Sequence, residues 1–193
     1  MQAAFVSFGQ EKNGYLYAGD IPVETVAAGC EPPLRLNVRV GEEVMVQVSK
    51  SPIGNKGARL SMCLSFVGKN LIYLPSADFC AVSRKIEGEE QRARLTALCE
   101  QLLNGDGGFV LRTKARGAEL SALQEEAAYL RGLYQTACEA YRSAAVGDLV
   151  YRDADIHARL LRDFDLSDVD NIYIGDEQTY SRVEETFRRA GRK

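Results

Sequence analysis

The chain has 193 residues, 46% of them apolar and 26% charged, with 24 basic against 27 acidic side chains. That suffices for one or two domains with a real core, and a net charge of −3 confines any nucleic-acid site to a local patch. No run of about 18 apolar residues is present for a membrane span, and no basic region followed by an apolar core marks a signal peptide.

The first 66 residues read as β. Short alternating runs over Ala3–Phe8, Gly14–Ala18, Val44–Val48 and Arg59–Ser65 are separated by Gly, Pro and Asn turns, with a loop at Glu31-Pro32-Pro33. Leu71–Leu74 is a further strand, stopped by Pro75. Gly88–Leu103 predicts a helix with Leu95, Leu98 and Leu102 on one face, ended by the turn Asn104–Gly108. Phe109–Thr113 reads as a strand. Leu120, Leu123, Ala127, Leu130, Tyr134, Ala137 and Tyr141 step by three and four, the pattern of an amphipathic helix. Asp153–Phe164 predicts a shorter helix, Asn171–Ile174 a strand, and Glu177–Ala190 a final helix. The class is α+β. Composition shifts from β-rich to mixed near residue 66, the best place for a domain boundary.

Chemistry concentrates in Val46–Leu60, VQVSKSPIGNKGARL. Pro52, Gly54 and Gly57 shape a loop from which Lys56 projects a mobile cation. Upstream, Phe5, Phe8 and Tyr15 fall at strand spacing. Aromatics on a small β-surface beside a lysine loop suit single-stranded nucleic acid, because bases stack and phosphates pair with the cation. The plainer alternative has Phe5 in the core and Lys56 as a solvated loop lysine.

Other groups say less. Five cysteines (Cys30, Cys63, Cys80, Cys99, Cys138) lack CxxC spacing and only one histidine accompanies them, so zinc is not expected. Reduced thiols of a cytosolic protein are the plain reading. His157 cannot form a triad alone, and Gly105-x-Gly107-Gly108 is a turn rather than a dinucleotide loop. The acidic run Asp163, Asp165, Asp168, Asp170 and Asp176 invites a Mg²⁺ site. It lacks an EF-hand's central Gly and closing Glu, and acids at such a turn are solvated or cap the next element.

These segments resemble the endoribonuclease E/G family, whose members read AAFVD-G…GFL and QV-KDP-GTKGARLT. The resemblance continues through Val82–Glu87 (VSRKIE), Gly107–Thr113 (GGFVLRT) and Leu160–Phe164 (LLRDF), in order over nearly the whole chain. It implies an OB-fold RNA-binding domain over residues 1–66, a mixed α/β 5′-sensor subdomain over 67–145, and part of an RNase H-like subdomain over 146–193. It implies that Phe5, Tyr15 and Lys56 contact RNA, with Tyr15 standing where relatives carry Phe. It further implies a 5′-monophosphate pocket from Gly68, Ile72, Arg84, Arg112 and Thr113. Arg112 would offer its planar fork to phosphate oxygens and Gly68 close backbone approach. The plain alternative leaves both arginines as surface residues ending strands.

Departures from the family pattern shape the remaining expectations. The VDINS-like and DFIDM words that carry the family's metal-binding aspartates do not occur. No cofactor or catalytic residue is therefore expected in this stretch, and Mg²⁺ is expected only for a full-length enzyme. Relatives supply a first OB strand upstream of AAFV, so an incomplete OB barrel is expected, with a homodimer formed through its open edge. The expected partner is single-stranded RNA with a 5′-monophosphate, in rRNA maturation and mRNA decay in the cytoplasm. The rivals are a free-standing RNA-binding or regulatory module and, more remotely, an enzyme using the acidic run.

Overall fold

Two small sheets and four helices make up the computed structural model, which describes residues 3–22, 38–164 and 169–189. Chain contacts divide it into two units, Met1–Tyr151 and Arg152–Lys193. The α+β class is as read from the sequence.

The first sheet holds β1 (Ala3–Val6), β2 (Gly14–Tyr17), β3 (Gln47–Lys50) and β4 (Arg59–Ser61) in the order β1-β2-β4-β3. β1 and β2 are antiparallel, β2 and β4 parallel, β3 and β4 antiparallel. Among the described residues no sheet closes into a barrel. The expected run Ala3–Phe8 pairs only as far as Val6, before Gly9 at φ 80°, a left-handed conformation that glycine adopts without cost. The run from Arg59 stops at Ser61 because the N–H groups of Met62 and Cys63 turn away to the Asp20 carbonyl at 2.8 and 3.3 Å. Leu16, Ile21, Ala58 and Leu60 are buried beneath this sheet. The loop expected at Glu31–Pro33 lies outside the described residues.

The second sheet holds β5 (Phe66–Val67), β6 (Leu71–Leu74), β7 (Cys80–Val82) and β8 (Gly108–Leu111) in the order β5-β6-β8-β7. β5 and β7 are two and three residues long, too short for alternation to reveal them. α1 (Glu89–Glu100) packs on β7 and β8, and α2 (Leu120–Ser143) packs on β5 and β6. The result is a two-layer core in which Leu71, Leu95, Phe109, Leu111, Leu123 and Leu130 are fully buried. α2 buries Leu123, Ala127, Leu130 and Ala137, the stripe that its spacing predicts.

Cys80 on β7 and Cys99 on α1 form a disulfide, with Cα atoms 5.8 Å apart. This corrects the expectation of reduced thiols for that pair. The packing of α1 on β7 brings together two positions separated by 19 residues, within ordinary disulfide reach. Cys63 and Cys138 are free thiols.

Two contacts tie the first sheet to the tail of α2. The Tyr141 hydroxyl donates to the Glu43 carbonyl at 3.1 Å. Gly9 lies against the backbone of Gly147, with φ 80° and 92° respectively, and a Cβ on either would strike the other's backbone.

In the second unit, α3 (Ile156–Asp163) starts at Asp155, whose carboxylate accepts from the Ala158 N–H at 3.0 Å. α4 (Glu177–Arg189) starts behind Asp176, which accepts from the Thr179 N–H at 2.7 Å. Asn171–Ile174 is not a strand: no described segment pairs with it, and without a partner the apolar alternation leaves Tyr173 92% exposed. Among the described residues no helix is long and apolar enough to cross a membrane.

Candidate nucleic-acid interface

Strand register brings the two aromatic residues together. Phe5 on β1 sits directly opposite Tyr15 on β2. Their rings meet edge to face at 6.0 Å, and Phe5 is 74% exposed rather than part of the core. An exposed Phe keeps its π-face open to a stacking partner.

Lys56 closes a tight turn in which Ile53 and Lys56 exchange backbone hydrogen bonds at 3.2 and 3.0 Å around Gly54, at φ 55°. Just beyond, the Ala58 carbonyl accepts from the Tyr15 N–H at 2.8 Å. That bond carries the lysine turn to the end of β2 where Tyr15 stands. Gly57 permits the approach, because a Cβ there would strike the Asn13 carbonyl. Lys12 also reaches across to the Gly54 carbonyl at 3.4 Å. Arg59 is tied to Asp20 at 2.8 Å, while Lys50 and Lys56 are exposed. At the end of β4, burial pushes the Cys63 thiol up, aided by the Asp20 charge and opposed by a hydrogen bond from Ser61.

Gly68, Arg84, Arg112 and Thr113 converge at one end of the second sheet. The β5–β6 turn begins at Gly68, whose N–H donates to the Leu71 carbonyl at 2.8 Å. β6 and β7 both register Leu111 at this end, through Leu71 and Val82. Ser83 donates to the Leu111 carbonyl at 2.8 Å, so Arg84 leaves β7 beside the point where Arg112 leaves β8. Arg112 Nη1 donates to the Gly68 carbonyl at 2.6 Å and its backbone N–H to the Asn70 carbonyl at 2.8 Å. Thr113 is exposed and opens a short 3-10 turn, Thr113–Gly117. Ile72 lies one pair inside this end, opposite Val67 and Val110, on the face that points away from buried Leu71 and Tyr73.

Charged side chains from the helices hold these loops. Arg92 on α1 spans the loop bearing Arg84, donating to the carbonyls of Ser83 (2.9 Å), Ile86 (3.1 Å) and Val82 (3.4 Å). Arg94 and Gln91 grip the Arg116 carbonyl at 3.2 and 2.6 Å, and Arg116 in turn reaches the Lys85 carbonyl at 3.0 Å. Glu126 on α2 accepts from the Asn70 and Leu71 N–H groups at 2.8 and 3.3 Å and from Asn70 Nδ2 at 2.9 Å. Nothing in the sequence marks Arg92 or Glu126. Both sit among many charged positions on helices, and only the fold shows which of these face the turns.

A separate cavity of about 270 Å³ lies at the opposite end of the sheet, lined by Tyr73, Pro75, Gly107, Arg131 and Tyr134 among others. Its polar groups are bonded to neighbouring loops. The Tyr73 hydroxyl donates to the Asp106 carbonyl at 2.6 Å, and Arg131 donates to the Leu102 carbonyl and Asn104 Oδ1 at 2.7 and 2.6 Å. Burial pushes the Tyr73 hydroxyl up. A hydrogen bond with Cys138, then burial, does the same for Tyr134.

Among the described residues the acidic run does not assemble. Asp163 is bonded by Arg162 at 3.2 Å. Asp176 caps α4, and the hydrogen bonds from Thr179 hold its carboxyl below the usual range. Asp165 and Asp168 lie outside the described residues. Among the described residues no group of three His, Cys, Asp or Glu side chains is placed to hold a metal ion.

The sequence model of the Ribonuclease E/G family matches residues 65–193. The chain is similar to Ribonuclease G of Haemophilus influenzae, 33% identical over 192 residues, which cover 96% of this chain and 39% of that protein. It is equally similar to Ribonuclease G of Escherichia coli K12, 33% identical over 190 residues, covering 95% of the chain and 39% of the relative. Ribonuclease E of Haemophilus influenzae is 30% identical over 194 residues, covering 97% of the chain and 21% of the relative. The chain thus spans 39% of the length of the Ribonuclease G relatives it matches.

Proposed function

Because the chain belongs to the ribonuclease E/G family and stands nearer to the Ribonuclease G relatives than to the Ribonuclease E one, we propose that it holds single-stranded RNA and reads a 5′-monophosphate at its end. It does so as part of a Mg²⁺-dependent endoribonuclease of rRNA maturation and mRNA decay, acting in the cytoplasm. Residues 1–66 serve as an OB-type RNA-binding domain, 67–145 as the 5′-sensor and 146–193 as part of an RNase H-like subdomain. The observation that carries the reading is the convergence of Gly68, Arg84, Arg112 and Thr113 at one sheet end.

The division of labour follows from the side chains. Phe5 and Tyr15 offer stacking surface, worth about 1–3 kcal/mol per base and tolerant of sequence. Lys56 pairs with a backbone phosphate. Arg112 and Arg84 supply directed cationic donors for the terminal phosphate, and the Thr113 hydroxyl adds one more. Gly68 presents backbone rather than a side chain to the terminal nucleotide, and Ile72 presents an apolar wall. Mg²⁺, where bound in the whole enzyme, supplies the nucleophilic water for hydrolysis, and the residues that hold it are not assigned within this chain.

The chain alone is expected to bind RNA without cutting it. Purified protein incubated with labelled RNA and Mg²⁺ should leave the RNA intact. Cleavage that persists through purification and disappears in Asp163→Ala would overturn this reading.

Lys56→Ala is expected to weaken binding to every sequence alike. It should also flatten log K against log salt by about 0.7, the counterion contribution of one single-strand phosphate contact. An unchanged slope would return Lys56 to the solvated surface.

The proposed homodimer would form through β1, which lies at the end of its sheet and pairs only with β2 among the described residues. The run Ala3–Phe8 is apolar and β-prone and no charged side chain occurs before Glu11, the kind of edge whose unpaired backbone groups pair with another chain. Sedimentation at several concentrations tests it. A strict monomer whose Ala3–Val6 amides resist exchange excludes edge pairing.

A further inference from the structure

We propose that Glu126 is a positioning residue of the 5′-phosphate site, holding the Gly68–Leu71 turn in the form that aims Arg112. The inference rests on the sensor reading above and goes beyond the residues that the family pattern marks.

The turn is clamped from two sides. Its Asn70 and Leu71 N–H groups face α2, where the Glu126 carboxylate accepts from both backbones and from Asn70 Nδ2 at 2.8, 3.3 and 2.9 Å. Its carbonyls face β8, where Gly68 accepts from Arg112 Nη1 at 2.6 Å and Asn70 from the Arg112 N–H at 2.8 Å. Gly68 itself lies against the carboxylate, and any Cβ would collide with Glu126 Oε1. One half-buried carboxylate therefore explains both the turn's shape and the need for glycine at its first position.

Two consequences follow. The N–H groups of Asn70 and Leu71 are occupied by Glu126 and that of Gly68 by the Leu71 carbonyl, so these three do not cradle a terminal phosphate and its recognition falls chiefly to the Arg112 side chain. The orientation of Arg112 is fixed in part by the Gly68 carbonyl, and that carbonyl belongs to the turn that Glu126 holds. Loss of the carboxylate leaves the N–H groups of Asn70 and Leu71 without their acceptor, and the turn rearranges to satisfy them. The guanidinium then loses the Gly68 carbonyl that helps to aim it.

The test compares a 3′-labelled oligouridylate carrying a 5′-monophosphate with the same oligomer carrying a 5′-hydroxyl. In Glu126→Ala the backbone N–H groups of Asn70 and Leu71 lose their acceptor. The ratio of the two affinities is expected to fall about tenfold, with affinity for the 5′-hydroxyl oligomer held by the first sheet and nearly unchanged. Glu126→Gln keeps an amide oxygen opposite both backbone donors, and a flipped Asn70 amide can accept from the new N–H₂, so this conservative variant is expected to keep most of the ratio. Leu130→Ala loosens the same helix away from the turn and should keep the ratio.

An unchanged ratio in Glu126→Ala, a loss in Glu126→Gln as large as in Glu126→Ala, or an equal loss in Leu130→Ala would each overturn the proposal while leaving the sensor reading intact. Equal affinities of the unsubstituted chain for both oligomers would overturn the sensor reading and this inference together. If Glu126→Ala does not fold, Glu126→Asp decides: its shorter side chain withdraws the carboxylate from the turn and should lower the ratio, and an unchanged ratio overturns the proposal.

Discussion

Arg112→Ala is expected to abolish the chain's preference for a 5′-monophosphate over a 5′-hydroxyl end. Arg112 stands where β8 leaves the sheet, beside Arg84 and the exposed Thr113. A charge-assisted hydrogen bond contributes about 1.5–3 kcal/mol, so its loss corresponds to roughly tenfold or more in affinity for the phosphorylated oligomer. The effect is larger than removal of one charge, because the same side chain also holds the Gly68 carbonyl at 2.6 Å. Arg112→Lys should recover only part: an ammonium keeps the charge but lacks a planar fork that can hold a carbonyl and a phosphate together. Fluorescence anisotropy with the paired oligomers measures both variants. Full preference retained in Arg112→Ala would remove Arg112 from the site.

Phe109→Ala is expected to cost about 3–5 kcal/mol of unfolding free energy. Phe109 is wholly buried at the centre of β8. Its ring packs on Tyr73 at 5.2 Å between centroids and carries the Arg131 guanidinium at 5.0 Å, a cation–π contact that truncation also removes. Alanine leaves a cavity that flanking strands cannot close without breaking the β6–β8 register. Denaturant titration should show a lower midpoint at an unchanged slope. A loss below about 1 kcal/mol would mean that the layer collapses onto the gap and that Phe109 is not its keystone.

Much of the fold was legible from spacing alone. The stripe on α2 reports a helix packed on one side, and its boundaries agree with the structure to within a turn. Failures cluster where a segment's state depends on a partner. β5 and β7 are too short to show alternation, yet pair because β6 and β8 are already in place. Asn171–Ile174 carries strand-like residues but pairs with no described segment, so it is no strand. The meeting of Cys80 and Cys99 follows from helix-on-sheet packing, which cysteine spacing does not encode.

The site divides in the same way. The sequence by itself determined which residue types were available: an aromatic pair, a lysine held in a glycine-rich turn, and arginines placed just beyond strands, with a family pattern to match. The tertiary structure alone decided which of them meet. Phe5 faces Tyr15 because of antiparallel register. The turn bearing Lys56 comes to the Tyr15 end of β2 because β4 runs parallel to β2 and Ala58 accepts from the Tyr15 N–H. Gly68, Arg84 and Arg112 share one end because β6, β7 and β8 all register Leu111 there. Glu126 became visible only in the fold, since a helical carboxylate reads as solvated surface until a turn elsewhere in the chain directs its N–H groups at it. Local sequence sets propensity and chemistry within a few residues, whereas hydrogen bonds between distant segments exist only once packing has fixed their separation and direction.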